Sequence, residues 1–344
     1  MLRTGALSAL LLGGAMGLAA DRRAHGKDNT LKPAIYLPTQ LAPDRYDRIG
    51  GTLLQAASRP YAFGRIILAF ATPSTEAPQA VPPEIPARLV TMVRALPADI
   101  ELGLSIGGGL HRHYEDWQPA LTEPARFAQS VAAITQTLRG QLRREIQVID
   151  MDCEADIAPS DLTALTKALH TAAPGHTITM AVPAIHDLDR FDTAALRGIV
   201  NEYNIMTYDE HGVGWSETSG RLSSRSLLES AVDAWSAKTA DYATLRVGIP
   251  TYGYLYTGAY DEGLPFDRST SKSLVYTDIP LADSTDDLIT GTSAAYAPEG
   301  FVAFQSPAVI QSNVHALRQR YPHVATFFWS ADGLTAEHLT AVQP

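Results

Sequence analysis

Residues 147–156 read QVIDMDCEAD, and three carboxylates, Asp150, Asp152 and Glu154, stand at alternate positions of an otherwise apolar run. A β-strand turns residues i, i+2 and i+4 to one face. The acids therefore form a row roughly 13 Å long at about 3.3 Å per residue. Ionised carboxylates buried side by side are costly unless they are paired, share protons or bind metal. No histidine accompanies them at ligand spacing, so the row is not read as a metal site, and no cofactor is expected. Such a row stabilises a fold poorly. It suits a proton donor, because neighbouring negative charge makes each acid hold its proton more tightly.

Seven other runs have the same β-like character: AIYLP from Ala34, RIILAFA from Arg65, IELGLSIGG from Ile100, TITMAVPA from Thr177, VNEYNIMTYD from Val200, RVGIPTYGY from Arg246 and VATFFWSADG from Val324. With EIQVIDMD from Glu145 they make eight, mostly near-continuously apolar, as strands covered on both faces require. Helical spacing fills the gaps. Phe127, Val131, Ile134 and Leu138 share one face of a helix begun near Pro124 and ended at Gly140. Leu162, Leu165 and Leu169 mark a second helix, capped by Ser160. Leu227, Leu228, Ala231 and Trp235 mark a third; Val309, Ile310, Val314 and Leu317 mark a fourth. Eight strands alternating with helices predict an α/β fold of the (β/α)8 TIM-barrel type. A doubly wound open sheet is the competitor, but no G-x-G-x-x-G follows the first strand. The polar, turn-rich stretch after the seventh strand predicts a small antiparallel insertion between strands 7 and 8, placed at 255–300, in a single barrel domain over 30–344.

The chain has 344 residues, 45% hydrophobic and 19% charged, enough for a sizeable core. A net charge of −10 argues against a nucleic-acid partner, since phosphate contacts need a basic face. Residues 1–20 combine Arg3 with an apolar run and small residues at Gly17 and Ala19, the pattern of a cleaved signal peptide. The expectation is an exported protein, periplasmic or secreted, with no transmembrane span in the mature chain. Cys153 is the sole cysteine, so no intramolecular disulfide forms. The proline-rich tract 73–86 reads as an ordered loop. Oligomeric state leaves no mark in the sequence.

In a barrel of this type function collects at the C-terminal strand ends. Those ends carry Tyr36, Phe70, Ser105 to Gly108, Asp152 and Glu154, Met206 to Asp209, Tyr252 and Trp329. Carboxylates, tyrosines and a tryptophan around one mouth are what a sugar site needs, since aromatic faces stack on pyranose rings and polar tips fix hydroxyls. His111, His113 and His211 read as surface or hydrogen-bonding residues near that mouth. Trp235 reads as core, and Trp215, in a loop after the sixth strand, as a residue that reaches substrate.

The segment ending in Glu154 resembles the D-x-x-D-x-D-x-E signature of glycoside hydrolase family 18, the chitinases and related N-acetylglucosaminidases. LGLSIGGG, TMAVPA, IMTYDEHG, VGIPTYGY and FFWSADG resemble that family's other strand segments in the same order. The resemblance implies a substrate of N-acetylglucosamine-containing oligo- or polysaccharide and a substrate-assisted mechanism, an exception to the two-carboxylate scheme. In it Glu154 would be the general acid and Asp152 would orient the 2-acetamido group whose oxygen attacks the anomeric carbon. Asp150 would share a proton with Asp152, and Tyr208 would hydrogen-bond the acetamido carbonyl. Asp209 would help hold the sugar above a floor formed by Trp329, with Tyr36, Phe70, Met206 and Tyr252 lining the cleft.

The chain departs from the pattern at Gln147 and Val148, where the family carries Asp and Gly. It departs again at Cys153, usually aromatic, and at Gly109, where many chitinases carry tryptophan. Loss of that tryptophan weakens the case for crystalline chitin. YDEHG, residues 208–212, resembles the branch acting on bacterial cell-wall glycans. The expected activity is retaining hydrolysis of β-linked N-acetylglucosamine glycans. Its alternatives are a peptidoglycan or N-glycan linkage, or an inactive carbohydrate-binding lectin on the same barrel.

Overall fold

The computed structural model describes residues 32–59, 62–74 and 85–343. The expected signal peptide and most of the proline-rich tract lie outside the described residues. The strands run β1 (Ala34–Pro38), β2 (Arg65–Ala71), β3 (Glu101–Gly107), β4 (Val148–Asp152), β5 (Thr177–Pro183), β6 (Glu202–Met206) and β7 (Leu245–Pro250). An inserted group follows: β8 (Tyr252–Thr257), β9 (Lys272–Val275), β10 (Ser284–Asp287), β11 (Thr292–Ala297) and β12 (Gly300–Phe304). The last strand is β13 (Ala325–Trp329). The first seven and β13 close into an all-parallel barrel, in the order β1-β13-β7-β6-β5-β4-β3-β2. This is the expected (β/α)8 TIM barrel.

The helices are α1 (Pro43–Ala57), α2 (Ala87–Ala95), α3 (Tyr114–Thr122), α4 (Pro124–Leu142), α5 (Pro159–Ala172), α6 (Arg225–Thr239), α7 (Pro307–Arg320) and α8 (Ala336–Ala341). One alternation governs the barrel wall. Ile35, Leu37, Ile66, Leu68, Ile149, Met151, Val247 and Ile249 turn outward and join the large core under the helices, with Leu53, Phe127, Leu165 and Trp235. The intervening residues turn into the lumen. Hence the acids on β4 enter the barrel while Met151 and Cys153 pack against helices.

Three local expectations are corrected. Helix α4 continues past Gly140 to Leu142 and stops where Arg143 adopts a left-handed conformation, φ 53°. Helix α5 is entered through Ala158 with Pro159 in its first turn, and Ser160 makes no cap bond. Proline's fixed φ starts that helix without a side-chain acceptor. RVGIPTYGY, read as one strand, is two. The chain leaves the barrel at Thr251, whose N–H donates to the Trp329 carbonyl at 2.9 Å and whose hydroxyl donates to that of Ser330 at 2.5 Å. It then enters a five-stranded sheet ordered β10-β11-β12-β8-β9. The insertion therefore covers Tyr252–Phe304, wider than 255–300 at both ends, and Tyr252 opens an inserted strand instead of closing a barrel strand.

The base of the barrel is closed by charge. Glu202 on β6 accepts from Arg65 Nη1 at 2.7 Å and from Arg246 Nε at 2.6 Å, and Arg65 Nε donates to Glu101 at 2.9 Å. Both arginines are buried. Burial alone would raise the Glu202 carboxyl, but Arg246 and Arg65 outweigh it and hold the group far below the usual carboxylate range. A depressed native value means the network stabilises the fold above the ordinary carboxylate range and loses that contribution only as pH falls through it. Glu202→Gln leaves two buried guanidiniums short of charge. Urea unfolding at neutral pH should show a loss of about 3–5 kcal/mol; an unchanged midpoint would mean the base is solvated.

Candidate active site

The site is built upward from Asp150. Fully buried in mid-lumen, its carboxylate is met from four other strands. Ser105 on β3 donates at 2.7 Å and Tyr36 on β1 at 2.9 Å to Oδ2; Thr179 on β5 at 2.5 Å and Asn204 on β6 at 3.1 Å donate to Oδ1. Asn204 also donates to the Tyr36 hydroxyl at 2.9 Å. Burial raises the Asp150 carboxyl above its ordinary range, while Thr179, Ser105, Tyr36 and Asn204 pull it back down. Both oxygens are thus occupied, and the proton expected to be shared with Asp152 is not carried by a hydrogen bond between the two acids.

Asp152 lies one layer higher. It is buried, and its Oδ1 has no hydrogen-bond partner. Burial, then the charges of Glu154 and Asp150, push its carboxyl well above the usual range. Glu154 follows just beyond the strand end with its side chain open to the cleft. Its surroundings still raise its carboxyl, first by desolvation and then through Asp209, with Arg112 and Arg190 opposing. Two neighbouring acids whose carboxyls are raised above their ordinary range, one facing a cleft, form an acid catalyst's arrangement.

Asp209, just past β6, has a left-handed backbone, φ 60°, and its Oδ1 accepts from the hydroxyls of Tyr252 and, at 2.9 Å, Tyr254. Tyr208, whose phenol is pushed well above its usual range by burial and then by Asp152 and Asp209, remains a proton donor. Tyr36, Phe70, Met206, Tyr208 and Trp329 gather in one apolar cluster at the mouth, with the Phe70 and Trp329 rings 5.4 Å apart. Gly107 and Gly108 explain how this cluster closes on β4. A Cβ at Gly107 would lie 2.2 Å from the Asp152 carbonyl oxygen, and one at Gly108 would lie 2.5 Å from the Phe70 ring. Both have positive φ.

Two hollows meet at Asp209. One, of about 440 Å³, is lined by Glu154, Ile185, Tyr208, Asp209, Glu210 and Trp215. The other, of about 290 Å³, is lined by Asp209, Tyr252, Tyr254 and Trp329. Every residue expected at the site is thus brought to one mouth, Asp150 and Tyr36 beneath it and the others around it. Of the remaining expectations, Trp215 is 54% exposed beside Glu154, and Trp235 is core, its Nε1 donating to the Pro183 carbonyl at 2.8 Å. His113 caps α3, the His111 carbonyl accepts from Trp117, and His211 lies against Gly220. Gln147, standing where the family has Asp, accepts from the Leu102 N–H at 2.8 Å and ties β4 to β3. Burial pushes the Cys153 thiol up to about 12, so this cysteine packs and does not react.

Sequence reading missed Thr179, Asn204, Tyr254, Arg112 and Arg190. The first two were accessible from alternation, since both are polar residues on lumen-facing positions of otherwise apolar strands. Nothing local marks the others.

A sequence model of glycosyl hydrolases family 18 matches residues 55–333. Solved structures share the fold. A class V chitinase from Nicotiana tobaccum in complex with NAG4 superposes with TM-score 0.72 at 15% identity, covering 91% of this chain and 99% of that one. A group IV chitinase from Ostrinia furnacalis in complex with allosamidin gives 0.71 at 16%, covering 91% and 97%. A chitinase-like agglutinin from Robinia pseudoacacia gives 0.70 at 16%, covering 90% and 98%. A search of curated protein sequences finds no match to the chain.

The raised Asp152 carboxyl makes the site a burden on stability. The native state binds that proton more tightly than the unfolded chain, so stability falls as pH rises from the ordinary carboxylate range to the raised value. Asp152→Asn mimics the neutral form. At alkaline pH it should be the more stable of the two in urea unfolding. The gain should shrink toward about pH 4; a gain independent of pH would show that Asp152 titrates normally.

Proposed function

The chain belongs to glycosyl hydrolases family 18, and on that premise we propose that it is an exported, retaining glycosidase acting on β-linked N-acetylglucosamine glycans. The observation that carries this reading is the pair of acids at the end of β4: Asp152 buried with an unpaired oxygen, and Glu154 two residues on, facing the groove, both with carboxyls raised above their ordinary range. Glu154 gives its proton to the leaving glycosidic oxygen. Asp152 orients the substrate's 2-acetamido group, whose carbonyl oxygen forms the new bond to the anomeric carbon as the glycosidic bond breaks. The Tyr208 hydroxyl donates to that acetamido group as charge moves through it. The resulting ring intermediate is opened by water, and Glu154 takes back a proton, which restores the acid.

The groove favours short, soluble chains. A Cβ at Gly109 would stand 3.5 Å from Glu154 Oε1, so glycine leaves that side of the acid uncovered where an aromatic side chain would extend the floor. Trp215 adds an apolar face to the hollow that Glu154 lines.

The test compares chain from about Asp21 onward with its Glu154→Gln variant on N-acetyl chito-oligosaccharides and on purified peptidoglycan, with products read by mass spectrometry. The parent should cleave and the variant should lose about 100-fold or more in rate, the usual contribution of a general acid. Product masses choose between chitin-type and cell-wall linkages. Parental activity should fall as pH rises through the raised Glu154 value, and a glycoside without the N-acetyl group should not be turned over. Binding of oligosaccharide with no cleavage of either glycan would replace the enzyme with a lectin.

A further inference from the structure

Nothing in the reaction scheme above uses Tyr254. It stands on the inserted sheet, outside the barrel, yet its hydroxyl reaches Asp209 Oδ1 at 2.9 Å. Tyr252, two residues earlier on the same face of β8, donates to the same oxygen. Oδ2 of Asp209 has no hydrogen-bond partner among the described residues. One oxygen of the carboxylate is therefore bonded twice by the insertion.

The placement of Tyr254 is itself over-determined. Its ring meets Tyr252 edge-on at 5.7 Å, Trp215 at 5.9 Å and Tyr256 at 6.3 Å. Leu222, Ala259, Phe301 and Ala303 complete the cluster around it. A non-glycine residue with the left-handed backbone of Asp209 is held there only when its surroundings fix it. Two phenolic hydroxyls arriving from a separate sheet supply that constraint.

Resting on the glycosidase reading above, we infer that Tyr254 is a positioning residue: with Tyr252 it fixes the Asp209 carboxylate, so that the inserted sheet sets the charge and orientation of the group next to the catalytic acid. Asp209 lines the same hollow as Glu154, and after burial its charge is what raises the Glu154 carboxyl. The groups facing Glu154 are Asp152 on β4, Asp209 after β6, Arg112 in the turn after β3 and Arg190 in the turn after β5; those facing Asp209 are Glu154, Tyr208, Tyr252, Tyr254 and, without a hydrogen bond, Tyr256. Removing one donor makes Asp209 easier to protonate. It then supports the Glu154 proton less, and Glu154 releases it at lower pH.

Tyr254→Phe keeps the ring and deletes only the donor. It should lower kcat by about tenfold, as loss of a hydrogen bond to a charged group does, and should move the alkaline limb of the kcat/KM profile toward lower pH. Asp209→Asn should do both more strongly, and the double variant should be no worse than Asp209→Asn alone, because the hydroxyl acts only through that carboxylate. Tyr256→Phe, on the same strand face but with no hydrogen bond to Asp209, should leave the limb in place. A Tyr254→Phe profile overlaying that of the parent, or effects that add to those of Asp209→Asn, overturns the inference while the glycosidase reading stands. A parent that cleaves no glycan removes both.

Discussion

The structure turns on one difficulty: two aspartates must sit inside a barrel lumen where water cannot solvate them. Asp150 is resolved by neighbours. Hydroxyls and an amide from β1, β3, β5 and β6 converge on its oxygens, so the strands that close the barrel also make the lumen habitable for an acid. Asp152, one layer higher, receives no such help at Oδ1, and its carboxyl is pushed well above the usual range. Satisfied below and unsatisfied above, the row changes along a single strand from support to reactive surface.

The two ends of the barrel handle charge oppositely. At the base, Arg65, Arg246, Glu101 and Glu202 pair acids with bases, and Glu202 is held ionised. At the mouth the acids outnumber their cations, and the carboxyls of Asp152, Glu154 and Asp209 are all raised. The first arrangement stabilises the fold at neutral pH; the second spends part of that stability on proton-holding groups, as catalytic sites commonly do.

The inserted sheet is more than a decoration on the barrel rim. Through Tyr252 and Tyr254 it grips Asp209, and through Thr251 the point where it leaves the barrel is bonded to the end of β13 that carries Trp329. The end of β13, Asp209 and the insertion are therefore tied by hydrogen bonds, which gives the groove a fixed shape without a disulfide, Cys153 being the sole cysteine.

The order of residues alone reveals the barrel, the strand carrying the acids and the identity of the mouth residues. These follow from period-two alternation and from short local patterns, which survive in one dimension. It ended one helix early at Gly140, began another late at Ser160 and overran at Thr251, where a helix or strand boundary depends on neighbours: alternation continues from β7 into β8 although the chain changes sheets. Only the tertiary structure decided what meets each side chain across the lumen. Thr179 and Asn204 converge on Asp150, and Tyr254 finds Asp209 from 45 residues away, because closing a barrel and docking a sheet bring together groups whose separation in sequence carries no trace of their contact.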